Sequence, residues 1–157
     1  MPANLETSSV LARLREFDPE AVEDAQVFRD ELTIFIPRGR LLAVADFLRD
    51  DPHLSFKYLS DVTAVDRYPN EPRFETVYHL YSLETGERLR LKARLPGDEP
   101  TVDSMVPIWP GAEAFECEVY DLFGIHFEGH PDLHRMLLPD DWEGYPLRKD
   151  YPTEGYR

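Results

Sequence analysis

"RLRLKARL", residues 88–95, sets Leu89, Leu91, Ala93 and Leu95 on one side and Arg88, Arg90, Lys92 and Arg94 on the other. Side chains alternate faces along a strand, so the stretch predicts a β-strand with an apolar inner face, a solvated outer face and an antiparallel partner. Glu84-Thr85-Gly86-Glu87 forms a turn before it. "RFETVYHLYSL" (73–83) and "FKYLSDVTAVD" (56–66) are rich in β-branched and aromatic residues and predict two more strands. In the first of these, Phe74, Val77 and His79 alternate only partly, which predicts a face covered by helix.

Further upstream, "AQVFRDELTIFIP" (25–37) reads as two β-rich runs around Arg29-Asp30-Glu31, a hairpin that Pro37 ends. Two helices are expected. Segment 5–16 puts Leu5, Val10, Leu11 and Leu14 roughly on one side, and "RGRLLAVADFLRDD" (38–51) puts Leu41, Leu42, Ala45 and Leu48 at helical spacing. Asp50-Asp51-Pro52 stops the second, because the residue before proline disfavours helix. The order helix, two strands, helix, three strands predicts an α+β two-layer sandwich, a mixed sheet with helices on one side. There is no internal repeat and no low-complexity tract.

A chain of 157 residues fits one domain with a real core, and 42% apolar with 12% aromatic content argues for a folded protein. The net charge of −14 argues against a nucleic-acid partner and against direct contact with an anionic membrane surface. No stretch approaches the run of about 18 apolar residues that spans a bilayer. The opening "MPANLETSSVLARLREF" lacks the basic start and apolar block of a signal peptide. A single cysteine, Cys117, cannot form an internal disulfide and suits a reducing compartment.

From Pro96 onward the texture changes: eight of the 14 prolines fall between Pro96 and Pro152, around one helix predicted over 111–123. The last 33 residues show little periodicity yet carry many large apolar groups, among them Phe127, Leu133, Met136, Leu137, Leu138 and Trp142. That is too aromatic for a solvated linker. The expected division is a scaffold domain, 1–124, and an extended interface arm, 125–157, of the same structural unit. Tyrosine, tryptophan and arginine in "DDWEGYPLRKDYP" (140–152) are the types that anchor interfaces, and the prolines pre-extend the backbone. An arm that docks on a partner should be mobile in the isolated chain. An arm folded back on its own domain should not.

"GIHFEGHPDLH" (124–134) spaces His126, His130 and His134 four apart, which on a helix would make a metal-binding face. Gly129 and Pro131 break such a helix, and the expectation is no metal. In "EAFECEVYDLF" (113–123), Leu122, Phe115, Val119, Ala112 and Phe123 form an apolar arc from which Glu113, Asp121 and Glu118 point away. Glu116 falls on the arc, so its carboxylate needs a partner. It reads as a structural ion pair with an arginine, within the chain or across an interface, or as a catalytic acid in an apolar pocket. Cys117 reads as a small hydrophobe or a helix-surface thiol. No nucleophile elbow, phosphate loop or dinucleotide fingerprint is present.

The run "ECEVYDLFGIHFEGHPDLHRMLLPDDWEGYPLRKDYP" (116–152) resembles the C subunit of the proton-pumping NADH–quinone oxidoreductase, respiratory complex I. Glu116, Glu118, Asp121, Leu122, Phe123 and His130 match the signature of that family, and the resemblance extends over roughly residues 5 to 152. Cys117 stands where the family usually has arginine, His134 where it has arginine or lysine, and Tyr145 where histidine is common. Glu116 and Glu118 therefore lack their usual in-helix arginine neighbour, and their partners must lie elsewhere.

The resemblance implies a non-catalytic scaffold subunit in the hydrophilic arm of an assembly that transfers electrons from NADH to quinone and translocates protons. It implies no flavin, iron–sulfur cluster or other cofactor in this chain. The implied partners are other complex I subunits, chiefly the quinone-binding D subunit, with membrane contact only through the complex, on the cytoplasmic side. The interface residues it implies are Glu116, Glu118, Asp121, His130 and Arg135, followed by Trp142, Pro146, Leu147, Arg148, Lys149, Asp150 and Tyr151. Two competing readings are an equivalent subunit of a related quinone- or ferredoxin-linked dehydrogenase or membrane hydrogenase, and a small metal-dependent enzyme using His126, His130 and Glu116.

Overall fold

Residues 4–156 are described in a computed structural model; residues 1–3, the start of the N-terminal stretch read above, and residue 157 lie outside the described residues. Ser8 opens α1 (Ser9–Phe17), its hydroxyl accepting the Leu11 N–H at 3.2 Å. That cap starts the helix later than the apolar spacing from Leu5 predicts. Strands β1 (Asp24–Phe28) and β2 (Glu31–Phe35) form the expected hairpin. Its two turn residues, Arg29 and Asp30, both take positive φ (51° and 63°), as a tight turn matched to strand twist requires. A 3-10 turn at Arg38–Arg40 leads into α2 (Leu41–Asp50). Then come β3 (Tyr58–Asp66), β4 (Phe74–Tyr81), β5 (Arg88–Leu95), the short β6 (Thr101–Asp103), α3 (Ala112–Phe123) and β7 (His126–Glu128).

The main sheet has the order β1-β2-β5-β4-β3. All its pairs are antiparallel except β2 with β5, which run parallel, so the sheet is mixed. Register aligns one apolar face: Ile34 and Tyr78 both flank Leu91, and Val62 lies opposite Tyr78. This face joins Leu11 and Leu14 of α1, Leu41 and Leu48 of α2, and Val119 and Phe123 of α3 in one core. The α+β sandwich with helices on one side is the observed architecture.

The opposite face departs from a simple solvated surface. Phe35 and Val77 are buried there although neither joins the core. The helix-covered face expected for 73–83 is the inner one, where Phe74, Tyr78 and Leu80 join the core, while Phe35 and Val77 lie on the other. Cationic stems do the shielding instead: the Arg94 guanidinium sits 4.0 Å from the Phe35 ring centroid, and Lys92 pairs across from Val77. An ion pair and two hydrogen bonds also link four adjacent strands. Arg90 pairs with Glu31 and donates from Nε to His79 Nε2 at 3.0 Å, while His79 Nδ1 meets Asp61. A guanidinium N–H can only donate, so His79 carries its proton on Nδ1.

Strand β7 pairs in parallel with β6 and carries Phe127, with Ile125 just before it, into the core. The domain thus continues past Gly124. The irregular segment begins near Gly129, since residues 129–156 contain no helix or strand.

Candidate interface at helix α3 and the C-terminal segment

Helix α3 ends at Gly124, whose φ of 75° lets its N–H return to the Tyr120 carbonyl at 2.8 Å. A helix leaves its last four carbonyls without helical donors. Here the chain beyond Gly124 supplies the other three. Arg135 Nη1 donates to the Asp121 carbonyl at 3.1 Å, the Leu147 N–H to Leu122 at 3.0 Å, and Arg148 Nε to Phe123 at 2.6 Å. Two of these donors are cations at the negative end of the helix dipole. The C-terminal segment is the cap of α3.

Covered in this way, α3 is buried on two sides. The inner side follows the predicted arc. The outer side does not, because Cys117 and Asp121 are also buried. Asp121 was expected to point away from the arc into solvent, yet its side chain is 0% exposed. Its carboxylate accepts the N–H groups of Met136, Leu137 and Leu138 at 3.2, 2.8 and 2.9 Å, and pairs with Arg135 at 2.9 Å. Burial pushes this carboxyl up, but the Leu138 N–H, Arg135 and the two other N–H groups outweigh it and hold it below the usual range.

Glu116 is 0% exposed as well. The arginine expected beside it is absent among the described residues. Instead Oε2 accepts from Ser104 Oγ at 2.7 Å and Oε1 from the Met105 N–H at 2.6 Å, which pins the loop before α3. Burial dominates and pushes this carboxyl up, with Ser104 and Met105 only partly offsetting it. His130 Nε2 lies 3.9 Å from Glu116 but turns to the Glu113 carbonyl at 3.0 Å, while Nδ1 accepts the Asp132 N–H at 3.0 Å. That pattern is a neutral imidazole. Expected at an interface, Glu116 and Asp121 face inward, so any effect on a partner runs through the segments they pin.

The three histidines do not converge. His126 is on β7, exposed and 3.5 Å from Glu128, and the His134 side chain is 55% exposed. Among the described residues no group of three His, Cys, Asp or Glu side chains could hold a metal. Cys117 lies 3.7 Å from His130 and 3.9 Å from His134, and burial pushes its thiol up, the direction of an inert thiol.

A second anchor was not legible in the sequence. Asp66, at the end of β3, is spanned by Arg73 through two bonds of 2.9 Å and accepts the Tyr68 and Lys149 N–H groups at 2.9 and 2.8 Å. Arg73 also reaches Asp150 at 2.7 Å. Burial raises the Asp66 carboxyl, but Arg73 and the two N–H groups bring it down to about 2. The arm therefore has a surface of its own domain to lie on. Its outward side still exposes Met136, Leu137, Leu147 and Tyr156. Glu118 is half-buried on α3 and makes no ion pair among the described residues. Trp142 and Tyr145 are half-buried, Tyr145 lying between the Arg135 and Arg148 guanidinium groups at 5.0 and 4.8 Å, and Pro146 is half-buried beside it.

A family model described as the respiratory-chain NADH dehydrogenase, 30 Kd subunit, matches residues 34–157. The chain belongs to this family. The C subunit of the NADH-quinone oxidoreductase of Roseiflexus sp. (strain RS-1) is 47% identical over 148 residues, 94% of this chain and 85% of the relative. The corresponding subunit of Citrifermentans bemidjiense is 43% identical over 150 residues, 96% and 92% of the two chains. Among solved structures, the trypsin-resistant fragment of Nqo5 is 32% identical with a TM-score of 0.61, covering 79% of this chain and 99% of that one. A chain of the membrane-bound sulfane sulfur reductase, an archaeal respiratory membrane complex, is 33% identical with a TM-score of 0.74, covering 92% and 84%. Membership of this family agrees with the motif at 116–152.

Proposed function

We propose that this chain is a scaffold subunit of the hydrophilic arm of an NADH-quinone oxidoreductase, complex I, an assembly that passes electrons from NADH to quinone and translocates protons. The observation that carries the reading is the 47% identity to a C subunit of such an enzyme over 94% of the chain. The chain is a subunit of an oxidoreductase complex and its partners are other subunits of that complex. A non-catalytic role is supported by how the buried acids are used: Asp66, Glu116 and Asp121 each spend their hydrogen-bonding capacity on backbone N–H groups, a hydroxyl or an arginine of the same chain. None stands poised in an open cleft, as an acid–base catalyst does. On this reading the chain brings no cofactor of its own.

The partner we favour for the arm is the quinone-binding D subunit. Exposed Met136, Leu137, Leu147 and Tyr156 offer it an apolar surface on a segment already ordered by its own domain, which lowers the cost of docking. No helix among the described residues is long and apolar enough to cross a membrane. As a component of that complex, the chain on this reading is peripheral and held on the cytoplasmic side. The reductase chain at 33% identity keeps the related-complex reading open as a second one, below the NADH-quinone oxidoreductase relatives in similarity.

Affinity purification of the tagged chain from its own membranes tests the proposal. The quinone-binding partner and NADH:quinone activity should co-purify. A chain recovered alone, or with the subunits of a different respiratory complex, overturns it.

A further inference from the structure

Arg148 is bound at one corner only. Its Nε donates to the Phe123 carbonyl, and its guanidinium stacks on Tyr145 and Phe74 at 4.8 and 5.1 Å. Among the described residues, its two terminal amino groups donate to no acceptor and no carboxylate comes within 4.0 Å. In a chain of 31 acidic and 17 basic residues, a half-buried arginine with no direct ion pair among the described residues is a charge left for something outside to meet. The nearby Asp150 is already spanned by Arg73, and burial together with that second guanidinium makes the Arg148 charge harder to hold.

A cavity of about 140 Å³ opens beside Arg148, walled by Tyr145, Tyr151, Tyr156 and Asp150, whose carboxylate already meets Arg73. The Tyr151 hydroxyl already donates to the Glu143 carbonyl at 3.5 Å, so the cation supplies the attraction for an anion and the tyrosine rings suit its apolar stem. Tyr156 on its wall is 57% exposed, and Leu147, the residue before Arg148, is 52% exposed. An exposed apolar rim around a desolvated charge belongs to a protein interface rather than to a site for a free anion.

We infer that Arg148 and its tyrosine-walled cavity receive an aspartate or glutamate side chain of the adjoining subunit. Arginine presents a planar fork to a carboxylate, and the two free amino groups leave one edge of it open for a bidentate pair. The inference rests on the reading of the chain as a subunit of the complex, and it names the chemistry by which that partner is recognised.

The test purifies the complex through the tagged wild-type chain, Arg148→Gln and Arg148→Lys. Arg148→Gln should lower recovery of partner subunits by about tenfold, the scale of one interface anchor. Arg148→Lys, which keeps the charge and loses the fork, should fall between the two. One acidic residue of the partner, changed to its amide, should reproduce the loss and add nothing to it in the double variant. Arg148→Glu should be rescued by an arginine at that partner position, which separates lost recognition from a misfolded chain. Normal assembly of Arg148→Gln, or losses that simply add for every partner acid, overturns the inference while leaving the reading as a complex I component intact. Phosphate binding to the isolated chain that Arg148→Gln abolishes, with assembly normal, also overturns it. Wild-type chain recovered without partners sinks both.

Discussion

The Lys149 N–H lies 2.8 Å from Asp66 Oδ2, across 83 residues of sequence. Arg73 closes this link by holding Asp66 and Asp150 at once. The end of β3 and the end of the arm are thus joined through one buried carboxylate. Nothing about the arm's composition marks Asp66 as its anchor.

Acid should release that end of the arm. The Asp66 carboxyl is depressed from 3.8 to about 2 in the folded chain. A depressed acid contributes stability that is present above its unfolded value and lost as pH falls through its folded one. The contribution of about 2 kcal/mol should therefore disappear between roughly pH 4 and pH 2. Arg73→Ala should bring the loosening to neutral pH by leaving Asp66 buried and unpaired, at a cost of about 3 kcal/mol or more. Trp142 fluorescence against pH reads both; a flat wild-type curve down to pH 2 contradicts the assignment.

Removing residues 130–157 should destabilise the domain. The cut strips three carbonyl partners from the end of α3 and exposes Cys117 and Asp121. The loss should reach about 3 kcal/mol, near 1 kcal/mol for each bond. Thermal unfolding of the truncated and full chains decides it, and equal melting temperatures would show that the arm does not cap α3.

Glu116→Ala should cost about 2 kcal/mol near pH 4 and less as pH rises, because the Met105 N–H and the Ser104 hydroxyl lose their acceptor in the interior. Glu116→Gln keeps the shape and should behave differently. The wild-type carboxyl is raised above 4.5 by burial. A raised acid contributes stability that is full below its unfolded value and is lost as pH rises through the folded one. The glutamine variant should therefore match wild type near pH 4 and gain on it as pH rises, in urea titrations across pH. Parallel curves would refute the raised carboxyl.

Gly124→Ala should destabilise through two separate effects. The position needs a φ of 75°, and an added Cβ would lie 2.7 Å from both the Tyr145 ring and Arg148 Nη2. The left-handed strain alone costs about 1 kcal/mol, and the displaced tyrosine and arginine should loosen the arm further. Hydrogen exchange should speed up at the Leu147 amide in this variant. Unchanged protection there would mean that the arm does not close on Gly124.

What the sequence determined by itself is local and periodic. The alternation at 88–95 defines β5 to the residue, the Arg29-Asp30 turn defines the hairpin, and Gly124 marks where α3 stops. These succeed because strand and helix periods state which side meets one covering layer. A second layer escapes the same reasoning. Asp121 looks solvent-facing on a helix wheel and Cys117 is left undecided there, and the passage of residues 130–138 over α3 covers both. The parallel pairing of β2 with β5 was not legible either, nor was the shielding of Phe35 by Arg94. Tertiary structure decided these, because each depends on a hydrogen-bond partner or a cation brought from far along the chain. Asp66 is the clearest case: its sequence neighbours describe a strand end, and its partner Lys149 is set by how the whole domain closes.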